Sequence, residues 1–236
     1  MKTVLKISFI CIASLCLATV SLANSNKVVV LLSAHETGFW AGEVIDNYVV
    51  MSEAGYEIVF ATPDGTLGLP NGMYTLDSKQ AEIYRQIAPQ LANPQVLAEL
   101  DTDTFAAIYV PGGAGPMFDL YNHPVVNNFI AGMYESNKPV AAVCHGPAAL
   151  GGVKLKDGSL LIAGKKITAK SNAEENDWAR ENYPFLLEDQ LQKLGATFSA
   201  AAPQEPLVIV DGMLITGQNP ASTIPLSKKL VELLKK

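Results

Sequence analysis

Cys144 closes a short apolar run, Val140–Val143, and is followed directly by His145, Gly146 and Pro147. A nucleophile carried where a strand turns sharply into a helix has its side chain lifted above the sheet on a strained backbone. Such a turn needs small residues around it, and Ala142 and Gly146 lie two positions either side of the cysteine. A helix starting in the small-residue segment Ala148, Ala149, Leu150 would aim backbone N–H groups at the sulfur and favour its thiolate. His145 is a base directly beside it. The plainer reading is a buried, inert cysteine at a strand end, since unpaired cysteine is among the most buried residue types.

Two other segments carry groups that could work with a thiol. Pro111-Gly112-Gly113-Ala114-Gly115-Pro116 follows a second apolar run. It is too short and too Pro-bounded for a phosphate cradle, and it lacks both the Lys-Ser/Thr ending and the Rossmann spacing. A backbone N–H near Gly113 would instead serve an oxyanion above Cys144; the alternative is simply a tight turn. Glu43 falls in the first turn of the first expected helix. It is either an exposed acid favoured by the helix dipole or a partly buried carboxyl of raised pKa, suited to proton transfer beside a thiol.

The elements that must position these groups can be read from apolar periodicity and turn chemistry. Strands are expected at 28–32, 57–61, 106–110 and 140–143, and helices at 40–54, 78–89 and 125–136. Gly55 stops the first helix, Thr62-Pro63-Asp64-Gly65 makes a turn, and 67–77 reads as an irregular loop. This alternation predicts an α/β fold, a mostly parallel central sheet flanked by helices on both faces. In such sheets the site lies beyond the carboxyl ends of the strands. That rule brings the loops at 33–42 and 111–117 to the same edge as Cys144. Further along, a small hairpin is expected around Gly164-Lys165 and a helix over 185–194. A second hairpin is expected around Asp211-Gly212. Asn219 and Pro220 open a last helix that turns Ile224, Leu226, Leu230 and Leu233 inward.

Composition bounds what the chain can be. Lys2 and Lys6, an apolar stretch over 7–20 and Ser21-Leu22-Ala23 read as a signal peptide over residues 1–23, too short in its apolar part to span a bilayer comfortably. An exported protein, periplasmic or secreted, with a single domain over 24–236 and no stable membrane insertion is the expectation. The 213 residues that remain hold 15 Lys and Arg against 23 Asp and Glu, a net charge of −8, which argues against nucleic acid or an anionic membrane as partner. Cys11 and Cys16 leave with the signal, so Cys144 is then the one cysteine and no internal disulfide forms. An unpaired thiol in an oxidising compartment points to reactivity or intermolecular pairing. One thiol and three scattered histidines, His35, His123 and His145, supply no metal-ligand cluster, and no cofactor is expected. His123, before Pro124, reads as a surface residue at a helix start. His35, after the first strand, could face the site.

Taken together, Ala141-Ala142-Val143-Cys144-His145-Gly146-Pro147, Val110-Pro111-Gly112-Gly113 and Gly38-Phe39-Trp40-Ala41-Gly42-Glu43 resemble the ThiJ/PfpI superfamily, whose fold is flavodoxin-like and similar to that of class I glutamine amidotransferases. The segments at 184–189 and 216–222 are similar to the branch of heat-shock chaperones and glutathione-independent glyoxalases. The resemblance spans nearly all of 24–236. It implies Cys144 as nucleophile, His145 as its base, Glu43 as the acid beside the sulfur, and an acidic residue after 165–168 orienting the histidine. Ungapped spacing puts Glu175 there, with Glu174 the alternative; the plainer reading of both is a solvated acidic helix start. Several relatives carry histidine where this chain has Ala114.

The resemblance implies a small 2-oxoaldehyde such as methylglyoxal as substrate, an oxyanion held near Gly112 and by the N–H groups of Gly113 and His145, and a homodimer. A holdase chaperone, a cysteine peptidase or amidase, and a thiol oxidation sensor are the alternative functions.

Overall fold

The structure, a computed structural model, describes residues 25–236; the expected signal peptide lies outside them. Strands are β1 (Lys27–Leu31), β2 (Phe39–Trp40), β3 (Glu57–Thr62), β4 (Pro70–Asn71), β5 (Gln95–Val96), β6 (Ala107–Val110), β7 (Val140–Val143), β8 (Lys166–Ile167), β9 (Thr197–Phe198), β10 (Val208–Asp211) and β11 (Leu214–Gly217). Helices are α1 (Ala41–Glu53), α2 (Ser78–Leu91), α3 (Pro116–Asp119), α4 (Pro124–Glu135), α5 (Asp177–Asn182), α6 (Leu187–Lys193) and α7 (Thr223–Leu234). Seven strands form one sheet in the order β10-β11-β7-β6-β1-β3-β5, parallel except for the β10–β11 hairpin. The expected architecture is therefore the observed one.

Strands buried on both faces must be apolar at every buried position, and β6, β7 and, after Lys27 at its edge, β1 are. Their alternate side chains feed two cores. Val29, Leu31, Ile108, Val110, Val140 and Ala142 pack under α4 and α6, against Phe129, Ile130 and Leu191. Val28, Val30, Tyr109, Ala141 and Val143 pack under α1, α2 and α7, against Ile45, Ile87 and Leu230. Each large aliphatic side chain buried this way contributes about 1.5–3 kcal/mol.

Several local expectations change. Residues 160–169 do not form a hairpin. Leu161 and Ile162 are drawn into the core in a turn, and β8 pairs in parallel with β9. The 67–77 loop contains β4, which pairs with β2, and a 3-10 turn, Met73–Thr75. Asp77 rather than Ser78 caps α2, in a reciprocal capping box with Gln80. Asn219 caps a 3-10 turn, Pro220–Ser222, and α7 begins after it, which rotates Ile224 outward to 42% exposure while Leu226 and Leu230 are buried.

Candidate active site

Strand β6 stops at Pro111, which has no N–H for the ladder, and β7 ends at Val143, one residue before the cysteine. The register pairs Val110 with Ala142, so Gly112 comes alongside Cys144. A Cβ on Gly112 would lie 2.6 Å from Cys144 Cβ and 2.7 Å from the His145 nitrogen; only glycine fits. Gly146 is small for a related reason, since a Cβ there would lie 2.2 Å from the Val110 carbonyl oxygen. The constraint is the neighbouring strand rather than the turn itself.

Cys144 has φ +59°, a left-handed conformation that costs a non-glycine residue about 1–2 kcal/mol. Two hydrogen bonds brace it. Its N–H donates to the Gly217 carbonyl at 3.0 Å, and its carbonyl accepts from Lys170 N–H at 2.8 Å. The segment after it, Gly146–Leu150, is a 3-10 turn with Pro147 at its start and not the expected α-helix. Its short dipole does little for a thiolate. The sulfur is nearly sealed, with Cys144 6% exposed, and burial, then the Glu43 carboxylate, push its pKa well above the ordinary thiol range. The lowered pKa expected from the sequence is thereby replaced by a raised one.

His145 Nδ1 lies 3.6 Å from Cys144 Sγ, and its Nε2 lies 2.7 Å from Glu175 Oε1. A carboxylate only accepts, so Nε2 carries the proton and Nδ1 presents its lone pair to the sulfur. Both partners are buried, and Tyr183 meets the imidazole edge-on at 5.2 Å between ring centres. Glu174, the alternative partner, points elsewhere. Burial alone would raise its carboxyl, but Gln204 N–H and the amides of Asn219 and Gln218 hold it below the ordinary value. It ties this loop to the β11–α7 connection.

Glu43 is completely buried below the cysteine. Its Oε2 accepts the Gly112 N–H at 2.6 Å, and burial raises its pKa from 4.5 to about 8 against the lowering effect of that bond and of the Cys144 side chain. Gly112, expected near the oxyanion, thus spends its N–H on Glu43. Its carbonyl accepts from Trp40 N–H at 2.9 Å, which fastens the start of α1 to this loop. The N–H groups of Gly113 and His145 are not donated to any other backbone carbonyl among the described residues.

These groups open into a cleft of about 370 Å³ lined by Cys144, His145, Glu175, Gly113 and Ala114. Its outer wall holds residues the sequence did not single out, namely Trp40, Tyr74, Lys170, Trp178 and Tyr183. Trp40 stood in a quoted motif; nothing in spacing marked the others. His35 lies elsewhere. It stacks on Phe118 at 4.5 Å and lines a separate depression with His123 and Asp119. Among the described residues, no three His, Cys, Asp or Glu are grouped to hold a metal, and no helix is long and apolar enough to cross a membrane.

A sulfur at the edge of a cleft, with a base and a buried acid beside it and two N–H groups given to no backbone carbonyl, suits addition to a carbonyl carbon. The comparisons with known proteins agree with this chemistry in part. The family model described as DJ-1/PfpI matches residues 26–233. Over 210 residues the chain is 27% identical to Glyoxalase 3 of Candida albicans, across 83% of this chain and 89% of that protein. Over 202 residues it is 30% identical to the glutamine amidotransferase-like class 1 domain-containing protein 1 of Xenopus laevis, across 84% of this chain and 86% of that one. The solved structure of glyoxalase III from Candida albicans superposes with a TM-score of 0.81 at 26% identity, covering 88% of this chain and 96% of the other.

Proposed function

The chain belongs to the DJ-1/PfpI family, and on that premise we propose that it is a cysteine-dependent, glutathione-independent glyoxalase converting methylglyoxal or a related 2-oxoaldehyde to the 2-hydroxy acid. The observation that carries this is the unbroken run of groups Glu43, Cys144, His145 and Glu175 at one strand end. His145 Nδ1 takes the thiol proton, and Sγ adds to the aldehyde carbon to give a hemithioacetal. The N–H groups of Gly113 and His145 hold its oxygen. Glu43 and His145 carry a proton from C1 to C2 through an enediol, leaving a thioester on the sulfur. Water hydrolyses the thioester, releasing the 2-hydroxy acid and the thiol, so that one water is consumed and no oxidant or reductant is needed. The relatives named as glyoxalases support this chemistry. Loss of methylglyoxal without glutathione, measured for wild type, Cys144→Ala and Glu43→Ala, is the test; equal rates for all three would remove the proposal.

A holdase chaperone is a second reading, favoured by Leu67, Leu69, Met73 and Tyr74, which expose large apolar side chains along one loop. Suppression of aggregation that survives Cys144→Ala would support it. Export, for which the composition of residues 1–23 speaks, would place the protein in a periplasm or outside the cell. Assembly as a homodimer is supported by the resemblance alone.

A further inference from the structure

The cleft above Cys144 holds a cation that the reaction just described does not use. Apart from the imidazole of His145, Lys170 is the one basic side chain lining it among the described residues. Its place is set by the backbone, since its N–H donates to the Cys144 carbonyl. The backbone of the lysine is therefore fastened to the turn that carries the nucleophile. Its side chain is only 19% exposed, a buried stem delivering an ammonium to the cleft wall.

One acid nearby pairs with this charge without hydrogen-bonding it. Glu174 is the one acidic partner within 4 Å of Nζ among the described residues, and at 3.8 Å it is outside hydrogen-bond reach. Glu174 is already served by Ser171 Oγ at 3.0 Å, Gln204 N–H at 3.0 Å, Gln218 Nε2 at 2.8 Å and Asn219 Nδ2 at 3.0 Å. Glu175 is bound to His145 at 2.7 Å. Glu43 lies sealed beneath the sulfur and, with its pKa raised by burial to about 8, is mostly uncharged at neutral pH. An ammonium has three donors, and among the described residues Lys170 Nζ, in the wall of the cleft that Cys144 also lines, donates none of them to a protein acceptor within hydrogen-bond distance.

We propose that Lys170 makes this a site for carbonyl compounds that carry a carboxylate, the Cys144 sulfur attacking the carbonyl carbon while Lys170 Nζ holds the carboxylate. Lys170 is then a specificity-determining residue, and the preferred substrates are 2-oxoaldehydes bearing a carboxylate rather than neutral methylglyoxal. The inference rests on Cys144 being the nucleophile, as above, and narrows its substrate class. Without Lys170 the surrounding carboxylates would repel such a substrate, so a preference for it is diagnostic.

Alkylation of Cys144 by iodoacetate and iodoacetamide provides the test. The two reagents present the same carbon to the sulfur, and each forms an S–C bond and loses iodide; one is anionic and the other neutral. The rate ratio, iodoacetate over iodoacetamide, should be about tenfold higher for the full protein at pH 7.5 than for free glutathione, a preference of about 1.4 kcal/mol. Lys170→Met should bring it to the glutathione value or below, and Lys170→Arg should keep it. Lys170→Gln is read by the same criteria if the methionine variant does not fold. A wild-type ratio at or below that of glutathione, a ratio unchanged in Lys170→Met, or a folded protein that neither reagent alkylates would overturn the proposal. Methylglyoxal turnover, assayed alongside, separates the two claims. The anion preference without turnover removes methylglyoxal as a substrate and leaves the anion site; turnover without the preference leaves the glyoxalase and overturns the anion site.

Discussion

Replacing Glu43 by glutamine should make the fold sturdier while disabling the site. The carboxyl is wholly buried, Oε2 accepts one backbone N–H, and Oε1 has no protein partner among the described residues. Burial lifts its pKa from 4.5 to about 8. An unfolded chain releases this proton near 4.5, so between 4.5 and about 8 the unfolded state binds fewer protons than the native one. Stability therefore falls as pH rises through that window, by about 1.4 kcal/mol per pH unit. The cost is absent below pH 4.5, complete above about 8, and about 3 kcal/mol at pH 7. Glutamine keeps an oxygen for the Gly112 N–H and turns an amide toward the Cys144 sulfur, a weak acceptor, with no charge to strip of water. Glu43→Gln should thus gain about 2–3 kcal/mol at pH 7, or roughly 4–12 °C in Tm for a domain of this size, and under about 1 kcal/mol at pH 5. Urea unfolding of both proteins at pH 5, 6, 7 and 8 measures this. A variant no more stable than wild type at pH 7 to 8, or a gain that does not grow with pH, would refute the reasoning.

Cys144→Ala should abolish methylglyoxal turnover, and Glu175→Gln should lower kcat by about 10²–10⁴-fold with little change in KM, both read in a steady-state assay. Gly112→Ala should cost about 1–3 kcal/mol in a urea titration and slow alkylation of the thiol, because its Cβ would strike Cys144 Cβ. Since burial and Glu43 hold the thiol pKa up, iodoacetamide labelling of the folded protein should quicken steadily from pH 6 to 9; a rate already level at pH 6 would contradict this. Ile224→Lys, on the exposed side of α7, should shift stability by no more than about 0.5 kcal/mol in the same titration.

Much of the sheet was legible because its signals are local. The uninterrupted apolar runs that became β1, β6 and β7 could be buried on both faces only in a parallel sheet, and Asp211-Gly212 marked its hairpin. The two-residue strands β2, β4, β5 and β9 left no such trace, since two residues carry no period and are placed by what lies beside them, and β8 was expected as a strand but with the wrong partner. The Gly164 region misled for the same reason. A hairpin pattern there lost to a core that needed Leu161 and Ile162 more than a ladder needed their backbone.

The sequence by itself determined that one thiol, followed by a histidine, ends a buried strand, and that glycine-rich and acidic segments belong at the same edge. Only the tertiary structure decided which of two adjacent glutamates meets His145, that Gly112 gives its N–H to Glu43, that His35 faces away, and that Lys170 lines the same cleft as Cys144. It also reversed the expected shift of the thiol. The physical reason is that a pattern along the chain reports which residues prefer to be buried. Protonation and hydrogen-bond partners depend instead on which distant atoms close over a group and shut out water.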